Sequence, residues 1–342
     1  MGVRKETPAT YQVYRHSGGC VSISREELPK SRAAGKDEEV VLVQPRFVGI
    51  CSADIRELRG ERPGRSDFGH EMVGTVLEAT HGSYEPGQCV VLNPFVKVQR
   101  ETAFSEVMYI TGPSGLVKSA LLEVPANRME FSAVEPLACV IHAARQSQDM
   151  DSGSRLVSGA GFFGYLLYCY LEFKGIPVAL ANPTPERLNQ LQKSVEEKGV
   201  GKLHVLPEIS QHTDTFSTVF LTRARLSQGD VSLAVDLVRD HGEIVLFGAI
   251  NPTDSELYTI RNKQQRRGCT QGSKTYFLQG TLDASLEDLH ESVEALSQAP
   301  FARKVAAIFA PPLTFEEGVT HLTERVSSSG SYKKYVVVLN AC

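Results

Sequence analysis

Cys51, His70, Glu71 and Glu135 supply a thiol, an imidazole and two carboxylates to the first part of the chain. Thiolate, imidazole and carboxylate are the ligand types that zinc accepts in open catalytic sites. Taken singly, each has a plainer reading: Cys51 as a small core residue, His70 as a satisfied core histidine, Glu135 as an acid at a helix start. They stand in the segments Gly49-Ile50-Cys51-Ser52-Ala53-Asp54, Phe68-Gly69-His70-Glu71 and Val134-Glu135-Pro136-Leu137-Ala138-Cys139. A second chemistry is written in Ser158-Gly159-Ala160-Gly161-Phe162-Phe163-Gly164, a Gly-x-Gly-x-x-Gly turn. Between a strand and a helix, such glycines give a tight turn, backbone approach to a pyrophosphate and close helix–strand packing. The helix that follows offers unpaired N–H groups and a partial positive charge to phosphates.

The elements around this turn have the required pattern. Residues 155–157 read as a buried strand and 162–173 as an apolar helix; a second strand over 176–180 and a helix over 186–198 follow. Further strands are expected at 203–206, 218–221 and 243–247, and this alternation implies a parallel sheet covered by helices. At the end of the second strand an acid would hold the ribose 2′-hydroxyl. Asn182 stands there instead, followed by Pro183 and Thr184. Asn182 can hydrogen-bond a hydroxyl without repelling a 2′-phosphate, and Thr184 and Arg187 are near enough in sequence to contact one, so NAD and NADP both stay open. The first ~145 residues read differently, as short strands at 40–43, 73–77 and 89–92 punctuated by Gly and Pro, the pattern of a barrel-like or sandwich-like module.

Composition excludes several function classes. The 342 residues carry 36 Lys+Arg and 40 Asp+Glu, a net charge of −4, with 42% hydrophobic and 22% charged residues. That is an ordinary globular balance, with no electrostatic reason to expect nucleic acid or an anionic membrane as partner. Seven scattered cysteines without a Cys-x-x-Cys pair read as reduced thiols. No apolar N-terminal stretch suits a signal peptide, and the most apolar segment, 165–173, is far shorter than the ~20 residues of a membrane span. The expectation is a cytoplasmic protein of about two domains.

Taken in order, the Gly-Ile-Cys-x-x-Asp, Gly-His-Glu and Glu-Pro-Leu segments and the glycine turn resemble the zinc-dependent branch of the medium-chain dehydrogenase/reductase family. Glu-Pro-Leu is similar to the polyol, sorbitol and threonine dehydrogenase subgroup. The resemblance implies an α/β chain: a GroES-like, β-rich catalytic domain of residues 1–145 and 281–342, interrupted by a Rossmann doubly wound parallel-sheet domain over 146–280. It implies one catalytic zinc on Cys51 and His70, with Glu71 and Glu135 completing the shell directly or through water. The nucleotide site falls to Gly159, Gly161, Phe162, Phe163, Gly164, Asn182, Thr184 and Arg187. The implied reaction is reversible oxidation of a secondary alcohol of a polyol, cyclitol or amino-sugar-like substrate to a ketone, with NAD or NADP. The implied assembly is a homodimer or homotetramer.

Three departures from the family pattern bear on mechanism. A hydroxyl residue usually stands two positions after the zinc cysteine, where this chain has Ala53; Ser52 is adjacent. A relay histidine is replaced by Arg56, which reads equally as a substrate contact or as a solvated arginine. Proton transfer then runs through water, a substrate group or a carboxylate such as Glu71. The lobe of four cysteines that binds a structural zinc in many relatives is missing from residues 93–101, so no structural zinc is expected. The rival readings are a zinc-free enone or double-bond reductase of the same superfamily and a non-catalytic nucleotide-binding protein. Arg261, Lys263, Arg266 and Arg267 read as a solvated basic loop, and Thr314 as the cap of a helix beginning near Phe315.

Overall fold

Strand Glu38–Gly49 shows the period of two that half-buried strands require: Val41 and Val43 are buried while Val40, Leu42 and Gln44 between them are partly exposed. It pairs antiparallel with Glu71–Ala79 and with Met108–Pro113, and near its end with the last strand, Val336–Val338. In this register Gly49 lies opposite both Glu71 and Val336. The full sheet has seven strands, the others being Gln99–Arg100, Cys89–Leu92 and Leu121–Glu123. Its core gathers Val41, Val43, Met72, Val76, Phe104 and Ile110 with Leu322 and Val337 from the C-terminal end of the chain. Helix Phe315–Ser327 in this unit starts at Thr314, whose Oγ1 accepts from Glu317 N–H while Glu317 Oε2 accepts from Thr314 N–H.

The computed structural model describes residues 9–28, 38–62, 68–147, 153–206, 209–327 and 333–339; residues 1–8 and Cys342 lie outside them. Two units divide the chain, one of residues 1–135, 309–330 and 334–342, the other of 136–308 and 331–333. Residues 281–308, expected with the first domain, thus pack in the second unit. The reason is visible on the helix Phe162–Phe173: Tyr165 donates to Lys304 O, Tyr170 donates to Glu291, and Phe173 packs against Phe301 with tilted rings.

The second unit holds a six-stranded sheet in the order Val178–Ala181, Arg155–Ser158, Phe216–Leu221, Val238–Leu246, Lys274–Gly280, Arg266–Gln271. All neighbours are parallel except the last pair. Every residue of the first three strands is buried, as in a parallel sheet covered on both faces. Residues 203–206 contribute only an isolated bridge, Leu180 to Val205. Among the described residues no helix is long and apolar enough to cross a membrane.

Three of the four residues of the basic cluster are not in a loop; Lys263 alone lies in the turn after a helix. Arg261 lies in helix Ser255–Asn262, and Arg266 and Arg267 lie in the antiparallel edge strand. Arg266 donates to Glu243 Oε1 at 3.1 Å, and its guanidinium sits 3.6 Å from the Phe277 ring centroid. Glu243 is buried, so its charge needs this partner, and the ring holds the guanidinium in place.

Candidate metal and nucleotide sites

Cys51 caps the helix Ser52–Leu58 in extended backbone. Its N–H donates to Asp54 Oδ2 at 2.7 Å, while Asp54 Oδ1 accepts from Gly69 N–H at 2.9 Å. Asp54 is 1% exposed and therefore ties the segment that presents Cys51 to the one that presents His70. Gly69 has φ +68°, and a Cβ there would meet Thr102 Oγ1 at 2.6 Å. Only glycine allows the chain to turn so closely before His70.

These constraints bring together one ligand atom each from Cys51, His70 and Glu71, all within 4.8 Å of one another and all in buried residues. No other such group of three occurs among the described residues. Glu71 opens strand Glu71–Ala79, and its Oε2 accepts from Lys334 Nζ, which also donates to Ile50 O at 3.1 Å. The two side chains are 0% and 4% exposed. Glu71 Oε1 is buried and has no hydrogen-bond partner. A buried acceptor left unpaired is costly, and a metal ion is one group that would satisfy it. Burial pushes the Cys51 thiol up to about 11, opposed by the Lys334 ammonium and reinforced by Asp54 and Glu135. Lys334 itself is drawn down to about 8 by burial, against the pull of Cys51 and Asp54. A divalent cation would favour the thiolate outright, and the donor set fits zinc.

Glu135 lies in the first turn of helix Val134–Gln146. Its charge reaches the Cys51 thiol, but its carboxylate is not one of the three mutually close groups. Ser52 is exposed. Arg56 Nε pairs with Glu61 Oε2 at 3.7 Å with its side chain 44% exposed, so it is engaged at the surface of its own helix region.

At the glycine turn the three glycines differ. Gly159 has φ +126°, and a Cβ on Gly164 would lie 1.8 Å from Gly159 O, so both are required by packing. Gly161, the cap of helix Phe162–Phe173, has open space where a Cβ would stand. Thr222 supports the turn from below, its Oγ1 within 3.2 Å of Ser158 O and 3.0 Å of Gly159 O. Asn182 is built into the turn: Oδ1 accepts from Ala160 N–H at 3.0 Å and Nδ2 donates to Thr184 O at 3.1 Å. Thr184 is exposed at the cap of helix Pro185–Glu197 and makes no side-chain cap bond; Arg187 is in the first turn. Phe162, Phe163 and Phe247 form an aromatic group beside the turn, with Phe163 and Phe247 centroids 5.2 Å apart.

Thr222, Phe247 and Lys334 do not stand out in the sequence, and Asp54 does so only as the last residue of the Gly-Ile-Cys-x-x-Asp segment, without a role. Asp54 carried a usable signal, since an acid three residues after a helix cap reaches back to the cap N–H. Lys334 carried none, because its partner is 263 residues away.

Residues 37–128 match the alcohol dehydrogenase GroES-like domain. L-Idonate 5-dehydrogenase (NAD(P)(+)) of Escherichia coli K12 is 25% identical over 178 residues, which are 43% of this chain and 52% of that protein. The chain spans about half the length of the curated relatives it matches. Galactitol-1-phosphate dehydrogenase from Escherichia coli shares the fold with a TM-score of 0.65 at 15% identity, over 96% of this chain and 100% of that one. TarJ of S. aureus in complex with NADPH does so with a TM-score of 0.66 at 16% identity, over 96% and 99%.

Proposed function

We propose that this chain, with a match to the GroES-like domain in its first part and a Rossmann-type sheet in its second, is a member of the zinc-type medium-chain dehydrogenase/reductase family and an NAD(P)-linked dehydrogenase. Its reaction is reversible oxidation of a secondary alcohol of a polyol, cyclitol or amino-sugar-like substrate to a ketone. The observation that carries this reading is the buried Cys51, His70 and Glu71 group, with one carboxylate oxygen left unpaired. When bound, zinc supplies Lewis-acid polarisation of the substrate oxygen, and the nicotinamide supplies the hydride exchange.

The chain's own residues do the rest. Asp54 fixes the two segments that carry Cys51 and His70, so the donors are preorganised. Glu135 lends negative charge near Cys51 without being one of the three close groups. The Gly159–Gly164 turn and the first turn of helix Phe162–Phe173 present backbone N–H groups to a pyrophosphate. With Ala53 in place of a hydroxyl, the proton leaves through water, through a substrate group or through Glu71. The polyhydroxylated substrate class is supported by the likeness to L-idonate and galactitol-1-phosphate dehydrogenases.

The test is metal analysis of the purified protein, titration with NAD and with NADP, and nicotinamide absorbance during incubation with panels of polyols and cyclitols. About one zinc per chain, binding of a nucleotide, and zinc-dependent reduction of it by one of these substrates are expected. Binding of neither nucleotide, or enone reduction by metal-free protein, would overturn the reading.

A further inference from the structure

We propose that Lys334 is a positioning residue for the metal, acting through Glu71; the inference rests on the zinc reading above. The last strand delivers it. Val336 lies opposite Gly49, and Gly49 lies opposite Glu71, so the three chain segments meet in register. Just upstream, the backbone is fixed on both sides: Tyr335 O accepts from Ile50 N–H at 2.9 Å, and Lys334 O accepts from Ala310 N–H at 2.8 Å. From there the Lys334 side chain runs inward to Ile50 O and Glu71 Oε2.

Gly49 makes the passage possible. A Cβ at this position would stand 2.5 Å from Glu71 Oε2 and 2.8 Å from Lys334 Cε, too close for either to remain. The strand thus gives up a side chain in its paired region to accommodate a buried ion pair. A buried pair of this kind is weak evidence for stability, since desolvation offsets most of the attraction. Its effect lies in what it leaves available. With Oε2 held by the ammonium, Glu71 has one oxygen, Oε1, that is buried and unpartnered in the residue that closes the donor group. In this proposal Lys334, by holding Oε2, decides which oxygen of Glu71 is left for a metal shared with Cys51 and His70. Partners of metal-ligating carboxylates typically change metal affinity by ~10–100-fold when removed.

The experiment measures zinc affinity by chelator competition and the visible absorption of the cobalt-substituted protein, in full-length chains checked for folding by circular dichroism. Lys334→Met is expected to weaken zinc binding ~10–100-fold and to change the cobalt spectrum. In a Glu71→Gln background the same substitution is expected to change neither, because Lys334 then has no ligand to position. Gly49→Ala, which leaves both charges in place, is expected to reproduce the spectral change. Lys334→Gln, which keeps a donor for Glu71, is expected to give a smaller loss, and with Gly49→Ala carries the test should Lys334→Met not fold. Wild-type affinity and spectrum in the folded Lys334 variants and in Gly49→Ala overturn the proposal, as does an equal loss in the Glu71→Gln background. A wild-type protein that takes up neither metal overturns the zinc reading itself, and this inference with it.

Discussion

Asp54 shows how much of the metal group depends on a side chain outside it. Its two oxygens accept from the N–H groups of Cys51 and Gly69, and the residue is buried. In Asp54→Asn the amide oxygen can satisfy one donor, while the amide NH2 opposes the other. The expected cost is about 1–3 kcal/mol of stability for the stranded donor and a ~10–100-fold loss of zinc affinity, checked by denaturant unfolding and chelator competition. Unchanged zinc affinity would show that the two segments hold their places without the brace. Asn182 has the corresponding place at the glycine turn. Asn182→Asp keeps an acceptor for Ala160 N–H but adds a charge beside the expected ribose site. The ratio of NAD to NADP affinity is expected to rise about tenfold, roughly 1.4 kcal/mol, in nucleotide titrations, because a 2′-phosphate is repelled and a hydroxyl is not. An unchanged ratio would move the ribose away from Asn182. Cys51, His70 and Glu71 were legible in the sequence because ligand type and local motif are properties of short segments. Lys334 was not, because a lone lysine in a C-terminal strand becomes significant only through the sheet register that carries it to Glu71.

Elements were legible where burial leaves a run of apolar residues between turn signals. Helix Phe162–Phe173 has the boundaries expected from its apolar run, and strand Cys89–Leu92 likewise. Arg266 and Arg267, expected in a solvated loop with Arg261 and Lys263, open the edge strand Arg266–Gln271, whose residues are almost all exposed and leave no alternation; backbone pairing and the Arg266 contacts with Glu243 and Phe277 hold it. The N-terminal hairpin Thr10–Ser17 and Cys20–Glu27 is fastened by charge. Arg15 binds Glu26 and Glu101, and Tyr11 donates to Glu101 at 2.9 Å. Burial pushes the Glu101 carboxyl up, but the Arg15 fork, the Thr102 N–H and the Tyr11 hydroxyl together hold it below the usual carboxylate range. A depressed folded-state value means the unfolded chain binds more protons in the acid range. The contribution is therefore complete above the ordinary carboxylate pKa and lost as pH falls through the folded value. Glu101→Gln is expected to lower stability at neutral pH by about 1.5 kcal/mol, the lower end for charged hydrogen bonds because Arg15 is partly exposed, and to flatten the acid limb of stability against pH. A parallel offset between the two proteins at every pH would rule out this origin.

At the scale of the whole molecule, each proposed ligand belongs to a unit with its own hydrophobic core. The candidate metal donors lie in the unit whose core includes Val43, Met72 and Val337, and the glycine turn in the unit whose core includes Leu156, Val219 and Ile244. Opening free energies vary across a structure, and a ligand that binds only the closed form of a region stabilises that region by mass action. At a hundredfold excess over its dissociation constant the gain is about 2.7 kcal/mol, roughly a hundredfold slower exchange of the amides that open with the site. Amide hydrogen exchange read by peptide mass spectrometry therefore separates the two ligands within one chain. Zinc added to metal-free protein is expected to slow exchange in residues 49–58 and 68–79, and NAD or NADP to slow it in 155–173 and 178–187. Zinc protection centred on the parallel sheet would place the metal elsewhere than on Cys51, His70 and Glu71. Nucleotide protection confined to residues 38–135 would sink the assignment of the glycine turn, since no Gly-x-Gly-x-x-Gly turn lies in that stretch.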